Sequence, residues 1–384
     1  MKLIVNIKLK PLESQHSALL ATLKEANKAC DWISKEAFEN KIFKQYNLHK
    51  LVYRAVRDTF NLSAQMVVRQ IAKVADSYKI QTEKQTTFNP TGSIAYDDRI
   101  ISFKKSGIAS IWTVEGRLNI PFVMGEHQHK LFEFRKGEVD LMYRKGEFYL
   151  NAVCDVPEPE KLGFDGILGI DFGIVQLATD STGEPFSGQE VEQIRQKYSS
   201  LRQTMQKKAS AQTKDGKRPR SIHKFLKRIG KKERNFRKHS NHCISKQIVD
   251  KAKTIGYAIA LEDLSGIRKR VEKRFRKNQR AKVSGWNFFE LRQNIEYKSR
   301  LQGVTVFFVN PKNTSRECSE CGYTDKENRK SQSEFVCLKC SHNENADFNA
   351  AKVISGRAKR NLAQESETVV SKGASLLQVQ SSNP

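Results

Sequence analysis

Hydrophobic and polar positions change period along the chain, and each change marks a different kind of element. Residues 2 to 10 alternate apolar and polar and stop at Pro11, which predicts one strand. After Glu13-Ser14-Gln15 the apolar positions fall at helical spacing, through Leu19, Leu20, Leu23, Ala26 and Ala29. A second helical stretch runs from about Leu48 to Ile80 and carries Leu51, Val52, Ala55, Val56 and Phe60. From Ile94 the period becomes two. Residues 100–103, 110–114, 118–123, 131–134, 139–143 and 148–154 read as successive short strands, with turns at Lys136-Gly137 and Lys145-Gly146. Such a run suggests a small β-barrel, completed by the first strand, with the helices inserted. Pro157 and Pro159 make a linker. This half shows no catalytic constellation, so its expected work is binding.

The second half alternates buried strands with helices. The apolar run Ile167 to Ile170 ends on Asp171, and Gly173 follows. A second run, Ile174 to Ala178, leads to a turn at Asp180-Ser181-Thr182-Gly183, which predicts a hairpin whose buried first strand ends on a carboxylate. A buried carboxylate costs free energy unless it is paired or bound to a cation. Taken alone, Asp171 fits a turn-forming Asp before a glycine equally well. Residues 189 to 253 read as two long helices joined by a polar loop at 213–220. Thr254 to Leu264 is another apolar strand that ends on acids, Glu262 and Asp263. A basic loop (Arg268 to Lys282), a helix (Trp286 to Leu301) and a third apolar strand (Val304 to Asn310) follow. The polar tail from Asn361 to Pro384 reads as disordered.

Charge narrows the partner. Lys and Arg total 68 against 42 Asp and Glu, a formal net charge of +26 that argues for a polyanion, nucleic acid before membrane. The cations concentrate in the helical insertion, at Arg195, Arg202, Lys224, Lys227, Arg228, Lys231, Arg234 and Arg237, and again at Arg268, Lys269 and Arg270. Such density favours phosphate contact over a solvated face; these contacts position a nucleic acid and read no sequence. No apolar run is long enough to span a bilayer, and the amino terminus lacks a signal-peptide stretch, so a cytoplasmic protein is expected, or a nuclear one were the host eukaryotic.

Cysteine spacing carries the most specific local signal. Cys30, Cys154 and Cys243 are scattered, whereas Cys318, Cys321, Cys337 and Cys340 form two Cys-x-x-Cys pairs. Four soft thiolates at that spacing select zinc in a closed, structural site, with Gly322 easing the first turn. Just beyond lies a small-residue helix, Asn345 to Ile354, with Asp347 in its first turn; alone, an acid there is explained by the helix dipole. Together, Asp171, Glu262 and Asp347 are two strand-end acids and one helix-start acid. Hard carboxylates of that kind suit Mg²⁺ or Mn²⁺, and two such ions activate a water and stabilise the leaving oxygen of a phosphodiester.

Four motifs then occur in one order: Gly169-Ile170-Asp171-Phe172-Gly173, Leu261-Glu262-Asp263-Leu264, Thr314 to Gly322, and Asn345-Ala346-Asp347-Phe348-Asn349-Ala350-Ala351. The chain resembles the insertion-sequence-encoded TnpB (OrfB) proteins, often called transposases and related to type V CRISPR effectors. Glu296-Tyr297-Lys298, the segment Arg329 to Cys337, and the amino-terminal strand with Pro11 and Gln15 fit the same pattern, so the resemblance runs over about residues 1 to 357. It departs at Val353, where the family often has Asn. The resemblance implies an α/β ribonuclease-H-like (RuvC) nuclease domain at 161–311 and 344–360, with Asp171, Glu262 and Asp347 as catalytic, magnesium-binding acids. It implies a zinc ribbon at 312–343, a wedge-like β-barrel at 1–12 and 88–160, and a helical recognition module at 13–87. Its implied activity is cutting of double-stranded target DNA beside a short adjacent motif, directed by a transposon-derived guide RNA. Two rivals use the same residues: a DNA transposase acting without RNA, and a guide-bound repressor that does not cut. Arg329 is a candidate for the scissile phosphate, with a plain surface arginine as the competing reading.

Overall fold

A computed structural model of the chain describes residues 1–173, 175–213, 219–264 and 288–380, with side chains as far as Gln364. The chain forms two compact units, Met1–Pro157 and Glu158–Pro384.

The first unit begins with β1 (Lys2–Leu9), continues through α1 (Glu13–Glu39), α2 (Gln45–Thr59) and α3 (Ala64–Tyr78), and then turns to strands. These are β2 (Ile94–Tyr96), β3 (Ile101–Lys104), β4 (Ile108–Thr113), β5 (Gly116–Val123), β6 (Arg135–Arg144) and β7 (Glu147–Asp155), with a short helix α4 (Glu126–Phe132) before β6. Strand β1 lies in the middle of the antiparallel sheet, whose order is β2-β6-β7-β1-β5-β4-β3, with Lys2 opposite Asp155 and Lys8 opposite Tyr149. The sheet is rolled but its edges share no ladder among the described residues. With three residues in β2 and four in β3, the edges are too short to zip together. Side chains span the gap instead: the Tyr96 hydroxyl donates to the carbonyl of Trp112 at 3.0 Å, and the Arg135 guanidinium stacks 5.2 Å from the Phe103 ring.

Two local expectations change. The strand expected at 131–134 is the end of α4 and the turn after it, because the Gln128 side chain accepts the Gly125 N–H at 2.7 Å and starts a helix there. The single helical stretch from Leu48 to Ile80 is two helices. Ser63 caps the second by accepting the Met66 N–H at 3.4 Å, after Phe60 and Leu62 have turned into the core.

The second unit carries β8 (Gly166–Asp171), β9 (Gln176–Asp180), β10 (Pro185–Ser187), α5 (Gln189–Ala211), α6 (Arg220–Thr254), β11 (Tyr257–Glu262), α7 (Phe288–Gln302) and β12 (Val306–Val309). Two ribbon strands, β13 (Glu334–Val336) and β14 (Asn343–Asn345), precede the last helix, α8 (Ala346–Gln380). The five-stranded sheet has the order β10-β9-β8-β11-β12, with β8, β11 and β12 parallel and β9 and β10 antiparallel. One face, with Leu168, Ile170, Ile259 and Leu261, packs on Ile248 and Val249 of α6 and on Leu291 and Ile295 of α7. The other, with Ile167, Ala258, Ala260 and Val309, packs on Ile354 and Ala358 of α8. The tail expected to be disordered continues α8 up to Gln380. No proline interrupts it before Pro384, and extending a nucleated helix is far easier than starting one.

Gly169 sets how closely α8 approaches. A Cβ there would stand 2.1 Å from the carbonyl oxygen of Ala351 and 2.6 Å from the amide nitrogen of Ser355, both backbone atoms that cannot swing away. Gly169→Ala is therefore expected to cost about 1–3 kcal/mol through overpacking, measured as a lower denaturant midpoint with an unchanged slope.

Candidate active site and metal centre

Two periodicities bring three acids to one rim. Ile170 stands opposite Leu261 on parallel strands, so Asp171 and Glu262 are the next residues on neighbouring strands. Alternation puts Asp171 on the face of Gly169 and Ile167, and Glu262 on the face of Ala260 and Ala258, which is the face covered by α8. On α8, Asp347, Ala351 and Ser355 recur every four residues and so share one stripe. Ser355 donates its hydroxyl to the carbonyl of Ile167 at 2.6 Å, and Ala351 lies over Gly169. The helix thus runs back along β8, and its first turn arrives at the strand end. There a Cβ on Gly173 would stand 3.7 Å from Oδ2 of Asp347.

All three carboxylates are half-buried. Burial pushes the Asp171 carboxyl up to about 8, helped by the charges of Glu262 and Asp347 and opposed by Arg329 and the Phe172 N–H. Burial also raises Glu262, against the Thr314 hydroxyl and the Arg357 charge, and raises Asp347, against Arg329. Acids held at one rim with their charged forms disfavoured are poised for a cation. Asp180 supplies the contrast. It is fully buried, and burial would raise it, yet it sits below the usual range. It accepts Lys251 Nζ at 2.5 Å, the Thr182 N–H at 2.9 Å and the Glu184 N–H at 3.0 Å. Asp180 is a satisfied structural acid; Asp171 is not.

The acids are spread more widely than the cysteines. Among the described residues, only the four sulfurs of Cys318, Cys321, Cys337 and Cys340 lie all within 4.8 Å of one another. Cys318 and Cys340 are 3.7 Å apart, and Cys321 and Cys337 3.6 Å. Zn–S bonds of about 2.3 Å at tetrahedral angles require sulfurs about 3.8 Å apart, so the donor set fits that ion. The two knuckles share one geometry. Gly322 donates to the carbonyl of Cys318 at 2.9 Å and Ser341 to that of Cys337 at 3.0 Å, and both donors have left-handed backbone, φ 72° and 57°. Burial would raise the Cys337 thiol, but N–H groups of Cys340 and Lys339 aimed at its sulfur bring it down to about 7. The sequence marks Gly322 but not its counterpart, since a serine does not signal left-handed backbone as a glycine does.

Two neighbours of the acids stand out, one (Thr314) that sequence reasoning gave no role and one (Arg329) that it named without a partner. Thr314 donates its hydroxyl to Oε1 of Glu262. Arg329 is half-buried, with Nη2 3.3 Å from Oδ1 of Asp347 and 2.8 Å from the carbonyl of Gln332, which anchors it beside the acids. Both precede or lie within the ribbon, and α8 latches that segment. Asn349 accepts the Ser319 N–H at 3.0 Å and donates to the Glu317 carbonyl at 2.8 Å, and Arg357 pairs with the Glu317 carboxylate.

The basic helices are less uniform than their sequence suggests. Arg195 forms a two-pronged pair with Glu192, both contacts 2.6 Å, and Arg202 pairs with Glu233 across α5 and α6. These two cations are engaged with carboxylates within the protein. Lys224, Lys227, Arg228 and Arg234 are exposed along α6, with Arg228 5.3 Å from the Phe225 ring; Lys231 and Arg237 are half-buried. Arg268, Lys269 and Arg270 lie outside the described residues. No helix among the described residues is long and apolar enough to cross a membrane.

The second unit is thus a mixed five-stranded α/β domain with acids at its parallel rim and a four-cysteine ribbon inserted before its last helix. Residues 153–266 match the OrfB-type probable-transposase family model, and residues 288–354 match the model of the Cas12f1-like TNB domain. The chain is 36% identical over 220 residues to the CRISPR-associated endodeoxyribonuclease Cas12f1 of Sulfoacidibacillus thermotolerans, covering 55% of this chain and 50% of that protein. It is 27% identical over 237 residues to a TnpB-like protein of Methanocaldococcus jannaschii, covering 58% and 81%. The fold is that of Cas12f1 in a cryo-EM complex with sgRNA and target DNA, with a TM-score of 0.58 at 16% identity over 89% of this chain and 83% of that one. The matched region spans about half the length of the Cas12f1 relatives.

Proposed function

We propose that this protein is an RNA-guided, divalent-metal-dependent DNA endonuclease whose second unit is a nuclease of the ribonuclease-H-like, RuvC type. The observation that carries the reading is the convergence of Asp171, Glu262 and Asp347, from three separate elements, on one rim where each carboxyl is raised. The strand order third-second-first-fourth-fifth, with the first three antiparallel, supports the fold. The endodeoxyribonuclease relative supports the activity, and the guide-RNA and DNA complex of the structural neighbour supports the partners. In this reading the four cysteines hold a structural zinc, and the first unit comprises the wedge and the helical recognition module.

The three acids would hold Mg²⁺ or Mn²⁺. When bound, such ions supply Lewis-acid stabilisation of the phosphodiester and a water made acidic enough to attack it. The protein's own part is to fix the acids on rigid elements, with Gly169 admitting α8 and Thr314 holding Glu262. Arg329, paired with Asp347, supplies a guanidinium matched to a phosphate. Exposed cations of α6 would contact backbone phosphates, while guide pairing would read the sequence.

Expressed with its native flanking DNA, the protein should retain one defined RNA that ends in a variable segment. That RNA should direct Mg²⁺-dependent cutting of a matched duplex. Random RNA fragments, or cutting of unmatched duplexes at equal rate, would favour the transposase reading. Guide-directed binding with no cutting would favour the repressor.

A further inference from the structure

We propose that Thr314 is a positioning residue for the acidic site, fixing the Glu262 side chain so that one carboxylate oxygen is committed to the protein and the other is left for a divalent cation. The inference rests on the acidic-site reading above and deepens it. Thr314 is only 4% exposed and sits in the turn that leaves β12. Its hydroxyl has two acceptors in reach, Oε1 of Glu262 and the carbonyl of Pro311 at 3.2 Å. The ionised carboxylate is the stronger acceptor and takes the hydrogen.

The turn that carries this hydroxyl is braced by α8. Arg357 donates Nη1 to the carbonyls of Asn310 at 2.7 Å and Lys312 at 2.8 Å, and its Nε meets Oε2 of Glu317 at 2.9 Å. The Asn310 side chain accepts the Lys312 N–H at 2.9 Å, and Asn313 takes the left-handed backbone, φ 62°, that asparagine tolerates. Glu262 has a long side chain with much rotamer freedom to lose at a strand end. A hydroxyl held from several sides removes that freedom before a cation arrives. Hydrogen-bond partners of metal ligands typically change metal affinity by about 10–100-fold.

The test is Mn²⁺ binding to the full-length, zinc-loaded chain freed of nucleic acid, read from the free-ion electron paramagnetic resonance signal. Thr314→Val keeps the shape and removes the hydroxyl, and is expected to weaken the site by about 10-fold or more. Thr314→Ser keeps the hydroxyl and should stay close to the wild-type affinity. Zinc content and melting temperature should match wild type in both, and Asp171→Asn should lose the site. Wild-type affinity in Thr314→Val, with the site lost in Asp171→Asn, overturns the inference alone. A loss in Thr314→Ser as large as in Thr314→Val also overturns it, because the methyl would then be what matters. Binding unchanged in Asp171→Asn overturns the acidic-site reading beneath it. Should Thr314→Val fold poorly, Thr314→Ala takes its place. Weakened binding in a normally melting Thr314→Ala protein supports the inference, and wild-type binding overturns it.

Discussion

Asp171→Asn should abolish DNA cutting, by a factor on the order of 10³ or more, while guide and target binding stay close to wild type. The same substitution should stabilise the protein in buffer without Mg²⁺ at pH 8. The sign follows from the carboxyl's environment. Burial and two neighbouring acids push Asp171 up to about 8, whereas in the unfolded chain it titrates near its ordinary value of about 4. Between those values the folded state holds a proton that the unfolded state has shed. Stability therefore falls as pH rises through that window, at up to about 1.4 kcal/mol per pH unit for the one group, and levels off above about pH 8. Asparagine has no proton to lose, so its melting curve should lack this slope and lie above wild type at pH 8. Adding Mg²⁺ should narrow the gap by stabilising only the wild type. The measurements are cleavage, target binding and thermal melts from pH 5 to 9, with zinc retained throughout. A variant that still cuts would remove Asp171 from the site. Parallel melting curves would remove the electrostatic account.

What the sequence made legible was local. An apolar run that stops on an acid can be seen in five residues, and it located Asp171 and Glu262 before any fold was known. A Cys-x-x-Cys pair is equally compact. Chemistry made between distant residues left no such mark. Thr314 and Glu262 are 52 positions apart, and nothing near Thr314 says that its hydroxyl ends on a carboxylate. Arg329 was visible, but its pairing with Asp347 needed the ribbon folded against α8. In the basic helices the sequence shows charge density but not which cations pair within the protein. Glu192 lies three residues before Arg195, within reach of a pattern search, whereas Glu233 meets Arg202 only after two helices pack. The misread strand at 131–134 shows the same limit, because a short apolar run takes its conformation from the cap before it.

Cys337→Ser should abolish the proposed cutting activity although Asp171, Glu262 and Asp347 remain intact. Between them, the ribbon and its flank hold a partner for each of two acids: Thr314 for Glu262 just before the first knuckle, and Arg329 for Asp347 between the knuckles. Without metal the ribbon has little else to hold it. Its buried core is Cys318, Phe335, Cys337 and Ala346, far too few apolar groups to offset the entropy of ordering some thirty residues. A structural zinc contributes folding free energy of about 10–16 kcal/mol in isolated fingers, so losing one sulfur ligand should release the segment. The sheet and helices α6 to α8 have their own cores and should survive, keeping far-UV circular dichroism close to wild type. The expected results are one zinc per wild-type chain, new protease cleavage between Cys318 and Cys340 in the variant, and loss of cutting. Full protease resistance in a zinc-free variant would mean that the Asn349 and Arg357 latches hold the ribbon unaided. Undiminished cutting by a variant whose ribbon is demonstrably loose would mean that neither Thr314 nor Arg329 is needed at the acids.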